Sequence, residues 1–213
     1  MIRRGYTLAE VLVAMAILAV LATLLTTVTG AVLRTVRRTA CTANLRQVGM
    51  ASLAYAADHR DRLPAEQNYG VDDPKRSPAW FVRLPPYTEQ TKVTGRTIFQ
   101  CPAWRGEAPH VFTSATPKSY KFNSYLDNRG RPRHYRLGSA RGEPRIVMFV
   151  DATAGDTGMG QWGQCFASGV DDSRHAGAVC SVCLDGSTLS TINTPADGDW
   201  MTALRWLPEG WKP

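Results

Sequence analysis

From Val11 to Leu33 the chain runs for 23 residues without a charge. No other feature limits the fold as strongly. A helix of about 20 apolar residues crosses a bilayer core, so this run is long enough to span one with some tilt. A removable secretory signal has an apolar core of only about 7–15 residues. The small-residue trio Ala14-Met15-Ala16, which imitates a cleavage site, falls inside the run rather than after it. The sequence therefore predicts a retained, single-pass membrane helix. Charge alone does not orient it, because Arg3 and Arg4 before the run are balanced by Arg34, Arg37 and Arg38 after it. Glu10 stands at the mouth of this run. An ionisable side chain in hydrocarbon costs at least about 2.5 kcal/mol and marks a function with a partner.

The helix need not stop at the membrane boundary. Residues 34–59 contain no proline and a single glycine, and Cys41, Leu45, Val48, Ser52 and Ala56 recur at helical spacing, with Leu53 beside them. Such a stripe seats a helix on a globular body, while Arg37, Arg38, Arg46 and Asp58 fall on the remaining face. Together the two segments predict one helix of about 50 residues, about 75 Å long. Its first half is bare of its own domain and its second half packed.

Pro64 and the stretch DDPKRSP (72–78) mark the exit into loops. Beyond them, short apolar runs of strand length recur: TIFQC (97–101), RIVMFVDA (145–152), AVCSVCL (178–184) and STLSTI (187–192). Asp185-Gly186 between the last two is a hairpin signal. The tail DWMTALRWLPEGWKP reads as a short helix ended by Pro208, with Trp200 and Trp206 closing the core. The expected class is α+β and pilin-like: a long N-terminal helix, its first half transmembrane, packed on a small antiparallel sheet with a loop-rich C-terminal region.

Chemistry-bearing patterns are sparse. Nothing resembles a phosphate-binding loop or a Gly-x-Ser-x-Gly nucleophile, so an enzyme is not expected. The formal charge is +7, of which +6 falls after the membrane run; a charge so spread serves solubility. RGRPRHYRLGSARGEPR (129–145) carries six arginines, yet such a run is ordinarily a solvated loop, and nucleic acid is not an expected partner. Cys180-x-x-Cys183 imitates half of a zinc or redox site, but residues three apart on a strand face opposite sides. Five cysteines is an odd number, so at least one thiol is free or bonded between chains. In an oxidising exterior, Cys41 and Cys101 are candidates for a disulfide tying helix to sheet, with the connectivity left open.

The first residues carry a resemblance. Gly5-Tyr6-Thr7-Leu8-Ala9-Glu10, after a short basic leader and before the apolar run, is similar to the N-terminal processing signal of type IV prepilins and type II secretion pseudopilins. The resemblance implies that a prepilin peptidase cuts between Gly5 and Tyr6 and methylates the new amino terminus on Tyr6. It implies that Glu10 neutralises the amino terminus of a neighbouring subunit during assembly, since charges survive in apolar surroundings only when paired. Tyr6 departs from the commoner Phe but keeps an aromatic ring. The implied domains are a cleaved leader (1–5), an assembly half of the helix (6–33), an amphipathic half (34–62) and a globular head (63–213). The implied partners are the peptidase, other pilin-like subunits and the inner-membrane platform of a secretion system. The leader would be cytoplasmic and the head periplasmic, or displayed on a cell-surface filament.

A second resemblance spans the rest. Cys41-Thr42-Ala43-Asn44-Leu45-Arg46-Gln47-Val48-Gly49, Asp58–Pro64 and Phe99-Gln100-Cys101-Pro102 are similar to segments of prepilin-like proteins of planctomycete-type bacteria. His175, nine residues, then Asp185-Gly186 resembles their C-terminal His-x9-Asp-Gly domain. That resemblance transfers architecture better than activity. His175 and Asp185 would be structural, or would hold a cation or form an acid–base pair together with Asp151, Asp171 or Asp172, while Asp185-Gly186 also suits a plain tight turn. Some pseudopilins hold calcium in a C-terminal loop; Asp151, Asp156, Asp171 and Asp172 offer oxygens but lack a calcium-loop spacing. No other cofactor is expected. The rival reading is a membrane-tethered extracytoplasmic module that binds a polyanion, a polysaccharide or exported cargo.

Overall fold

The computed structural model describes residues 6–71, 73, 75–88, 97–104, 118–126, 136–140, 145–153, 163–192 and 200–207. The chain divides into two compact units, Met1–Val36 and Arg37–Pro213. Helix α1 (Leu8–Asp58, 51 residues) contributes to both.

In the first unit α1 is apolar and uncovered. Its most apolar window of 18 residues has a mean hydropathy of 2.6, and none of it is buried. By length and composition it is the one helix among the described residues able to cross a membrane. Leu8, Leu12, Val13, Leu18 and Leu24 stand exposed.

In the second unit the expected stripe is the buried one. Cys41, Leu45, Val48, Ser52 and Ala56 are all 0% exposed, whereas Arg37, Arg46 and Asp58 are exposed and Arg38 half-buried. The helix ends where Arg60 and Asp61 turn left-handed (φ 58° and 65°), and the Asp61 amide donates to the Ala56 carbonyl at 2.9 Å. This satisfies one of the last carbonyls, and Pro64 follows.

Five strands form one sheet in the order β3-β1-β2-β4-β5: β1 (Tyr120–Asn123), β2 (Val147–Asp151), β3 (Gln164–Cys165), β4 (Val179–Cys183) and β5 (Thr188–Thr191). The four strands β1-β2-β4-β5 are antiparallel, and β3 adds a two-residue parallel pairing to β1. The hairpin at Asp185-Gly186 forms as its turn residues require. Gly186 has φ +79°, and Asp185 Oδ1 accepts from the Ser187 amide and hydroxyl at 2.8 and 2.6 Å. One face of the sheet packs the second half of α1 and the short helix α2 (Trp80–Arg83), with Phe149 edge-on to Trp80 at 5.0 Å. The other face packs Val147, Val150 and Val179 against Trp200, Leu204 and Trp206. Buried Asn123 holds that tail by donating to the carbonyls of Val147 (2.7 Å) and Trp206 (2.8 Å).

Two elements depart from the sequence expectation. TIFQC (97–101) is a turn, not a strand. It carries Cys101 inward by side-chain hydrogen bonds rather than a ladder, the Cys101 amide donating to Ser119 Oγ at 2.6 Å. The tail around Trp200–Leu204 is a series of turns rather than a helix, although both tryptophans are buried as expected. Strands β1 and β3 are absent from the expected set.

Candidate functional site

At the start of α1, Thr7 and Glu10 satisfy each other. Glu10 Oε2 accepts from the Thr7 amide (2.8 Å) and hydroxyl (2.9 Å), and Thr7 Oγ1 accepts from the Glu10 amide (3.3 Å). This is the reciprocal Thr-x-x-Glu capping box, which answers two donors a helix start leaves unpaired. Within one chain Glu10 is therefore a cap as well as a buried-charge candidate. Tyr6 is 89% exposed. Gly5 lies outside the described residues.

The second constellation lies in the other unit, between α1, the 97–104 turn, β2 and β4. The turn Ser173–His175 builds it. Asp171 Oδ1 accepts from the Ser173 amide and hydroxyl (2.9 and 2.6 Å), and Ala176 and Gly177 turn left-handed to lead into β4. The side chains of Arg174 and His175 are thereby aimed at Asp151 on β2. Asp151 is fully buried, with Arg174 Nη2 3.3 Å from Oδ1 and His175 Nε2 3.2 Å from Oδ2. Burying a carboxylate without such partners is prohibitive. Arg174 also donates to the carbonyls of Ala152 (2.6 Å) and Ser119 (3.3 Å).

Three thiols join this group. Cys41 Sγ on α1 donates to Asp151 Oδ2 at 3.2 Å, and the Tyr120 hydroxyl lies 3.2 Å from the same sulfur. Cys101 Sγ is 3.2 Å from His175 Nε2. Cys180 Sγ on β4 accepts from Thr42 Oγ1 at 3.5 Å. All three are free thiols. The electrostatics are sharply polarised. Burial pushes the Cys41 thiol far up, and its neighbouring thiols and Asp151 push it further. The neighbouring Cys41 sulfur outweighs burial at Cys101 and, with His175, brings that thiol down to about 6. Burial works against the charged His175, but Asp151 and Cys101 overcome it and hold the imidazole up to about 10. His175 Nε2 and Cys101 Sγ thus lie in contact beside the Arg174–Asp151 pair.

The structure does not bring His175 and Asp185 together; Asp185 is an exposed turn residue whose Oδ1 is taken by Ser187, and the acid beside His175 is Asp151. Among the described residues, Asp151 and Asp171 do not form a calcium loop. Asp151 and Asp171 are both committed to Arg174, and Asp156 lies outside the described residues. Cys180 faces α1 while Cys183, three residues on, lies on the opposite face of β4, as strand alternation requires. Arg131 and Arg133 lie outside the described residues. Sequence reasoning missed Cys180 as a member of the cluster. Its partners come from α1, β2 and a turn, and no spacing along the chain records them.

The Cys-x-x-Asn motif has a local meaning. Cys41 and Asn44 lie one turn apart on α1, and Asn44 Nδ2 donates to the Gln100 carbonyl at 3.4 Å, next to Cys101. The motif docks the helix on the 97–104 turn.

Two family models match the chain. Residues 1–26 match the prokaryotic N-terminal methylation motif. Over these residues the chain is similar to prepilins. Residues 34–139 match a domain described as a protein of unknown function, DUF1559. That match covers the docking motif and the Cys101 turn and ends before His175. No curated protein and no solved structure matches the chain.

Proposed function

We propose that this prepilin-like chain is a structural subunit of a type II secretion or type IV pilus-like assembly, without catalytic activity of its own. A prepilin peptidase cuts between Gly5 and Tyr6 and methylates Tyr6. Residues 6–33 hold the subunit in the inner membrane, leader inward and head outward, until other pilin-like subunits and the membrane platform extract it. The head is of the His-x9-Asp-Gly type. The observation that carries the reading is the pairing of the methylation motif with a helix whose apolar window is wholly uncovered. A face of that kind needs either lipid or neighbouring helices.

The capping box sharpens the role of Glu10. In the membrane the Thr7 amide and hydroxyl offset part of the cost of its carboxylate; in the assembly that carboxylate meets the neighbour's methylated amine. Glu10→Ala is therefore expected to leave insertion and cleavage intact and to abolish incorporation into filaments. Mass spectrometry of the mature chain should show a methylated Tyr6 amino terminus in both proteins. An unprocessed Met1 terminus in cells that carry the peptidase would overturn the processing claim, and normal assembly of the Glu10→Ala protein would overturn the pairing claim.

A further inference from the structure

The buried cluster between α1 and the sheet has a use that a subunit scaffold does not require. Cys41 Sγ, Cys180 Sγ, His175 Nε2 and a carboxylate oxygen of Asp151 all lie within 4.8 Å of one another, and all four residues are buried. Around zinc, ligand bonds of about 2.0–2.3 Å place tetrahedral donors about 3.4–3.8 Å apart. The observed edges at Asp151, 3.2 Å to Cys41 and 3.2 Å to His175, lie just under that range. Four donors within 4.8 Å of one another, each from a different part of the fold, can close on one ion at their centre. We infer that Cys41, Asp151, His175 and Cys180 bind a single zinc-class divalent cation that staples the second half of α1 to the sheet.

The donor chemistry selects the ion. Two sulfurs, one imidazole nitrogen and one carboxylate oxygen suit a borderline-soft, tetrahedral metal. Calcium and magnesium need a shell of oxygens that this site lacks. The charge also closes. Binding releases the thiol protons of Cys41 and Cys180, and any proton on His175 Nε2 passes to the Cys101 sulfur 3.2 Å away, so two thiolates, the Asp151 carboxylate and a neutral imidazole face a dication, and Arg174 beside Asp151 supplies the remaining positive charge. A buried site of this kind survives only near neutrality. Arg174 and the Tyr120 hydroxyl, 3.2 Å from Cys41 Sγ, serve as outer partners that orient the carboxylate and one sulfur. Cys101, against His175, stays a neighbour of the imidazole.

The competing fate of these sulfurs is a disulfide from Cys41 to Cys101 or to Cys180, so the experiment must separate the two. The full chain is purified in detergent without chelator and its metal measured by elemental mass spectrometry, with peptide mapping under non-reducing conditions. One zinc per chain with X-ray absorption showing two sulfur and two nitrogen or oxygen neighbours is the expected result. Exchange with cobalt should give thiolate charge-transfer bands and the intense visible bands of a tetrahedral site. Cys180→Ser is expected to lose at least tenfold in zinc affinity, whereas Cys183→Ser, on the opposite face of the same strand, keeps it. If Cys180→Ser fails to fold, the absorption and cobalt spectra of the unaltered chain decide. A folded chain that takes up no zinc under reducing conditions, a Cys41 disulfide in the protein taken from its membrane, or a Cys180→Ser protein that binds zinc undiminished would each overturn the site. None of these results bears on N-terminal processing, so the two readings fail separately.

Discussion

Gly49 shows how closely α1 is laid on the sheet. A Cβ at this position would lie 2.5 Å from Val182 Cγ2 on β4. Alanine would gain up to about 1 kcal/mol of helix propensity, but overpacking a filled core costs about 1–3 kcal/mol. Val182 is fully buried and stiff at χ1, so it yields poorly and the overpacking should win. Gly49→Ala is expected to destabilise the head by about 1–2 kcal/mol and lower its melting temperature by several degrees, read by near-ultraviolet circular dichroism. Gly30→Ala, where a Cβ would meet nothing within 4 Å, should leave that transition unmoved. An unchanged or raised melting temperature for Gly49→Ala would mean that helix and strand are free to separate. Single residues also mark the limit of what the sequence discloses. The stripe Cys41-Leu45-Val48-Ser52-Ala56 is legible because periodicity is local. The joining of Cys41, Cys180, His175 and Asp151 is not, because Cys41 and Asp151 are 110 positions apart.

The elements divide by the same logic. α1 and the β4–β5 hairpin are readable from the sequence, one by length and period, the other by Asp185-Gly186. β1 is not readable: its four residues YKFN are all buried, so they show no alternation, and two of them are polar. TIFQC has strand composition but is held as a turn by Thr97, Gln100 and Ser119. The Phe99 amide donates to Thr97 Oγ1 at 3.2 Å, and Gln100 Oε1 accepts from the Ser119 amide and hydroxyl at 3.0 and 2.8 Å. Side-chain competition for backbone donors defeats a propensity argument. For α1 the division at Val36 makes an element-scale prediction. Both faces of the sheet are covered by residues from Arg37 onward. A chain of residues 37–213 should therefore fold without detergent and keep the near-ultraviolet signal of Trp80, Trp200 and Trp206. A molten spectrum with exposed tryptophans would show that the first half of the helix is needed for the head to fold.

At the scale of the whole molecule, two lysines make stability depend on pH. Lys118 is 0% and Lys121 2% exposed. Burial, with Lys121 nearby, pulls the Lys118 amine down to about 7; burial, against the pull of Cys165, brings Lys121 down to about 8. The ordinary lysine value is 10.5. Between about 7 and 10.5 the unfolded chain holds a proton on Lys118 that the folded chain has lost, so stability rises with pH across that window. Below 7 both states are protonated and the folded chain carries the cost of a buried ammonium, eased by the Phe81 ring 4.2 Å away. Buried thiols act with the opposite sign at the upper end: burial lifts Cys165 to about 12 and Cys183 to about 11, so above their ordinary 9.0 the unfolded chain sheds protons first. The lysines and these thiols together therefore contribute most to stability near pH 9. Lys118→Met isolates the first effect, because methionine can fill the same space against the Phe81 ring, 4.2 Å from the amine. The variant should be the more stable protein at pH 6–7, and its advantage should shrink steadily as the pH is raised toward 10. Denaturant unfolding of both proteins across that range reads the difference directly. A difference that stays constant with pH would show that the Lys118 amine keeps its proton in the fold, held by partners strong enough to offset its burial.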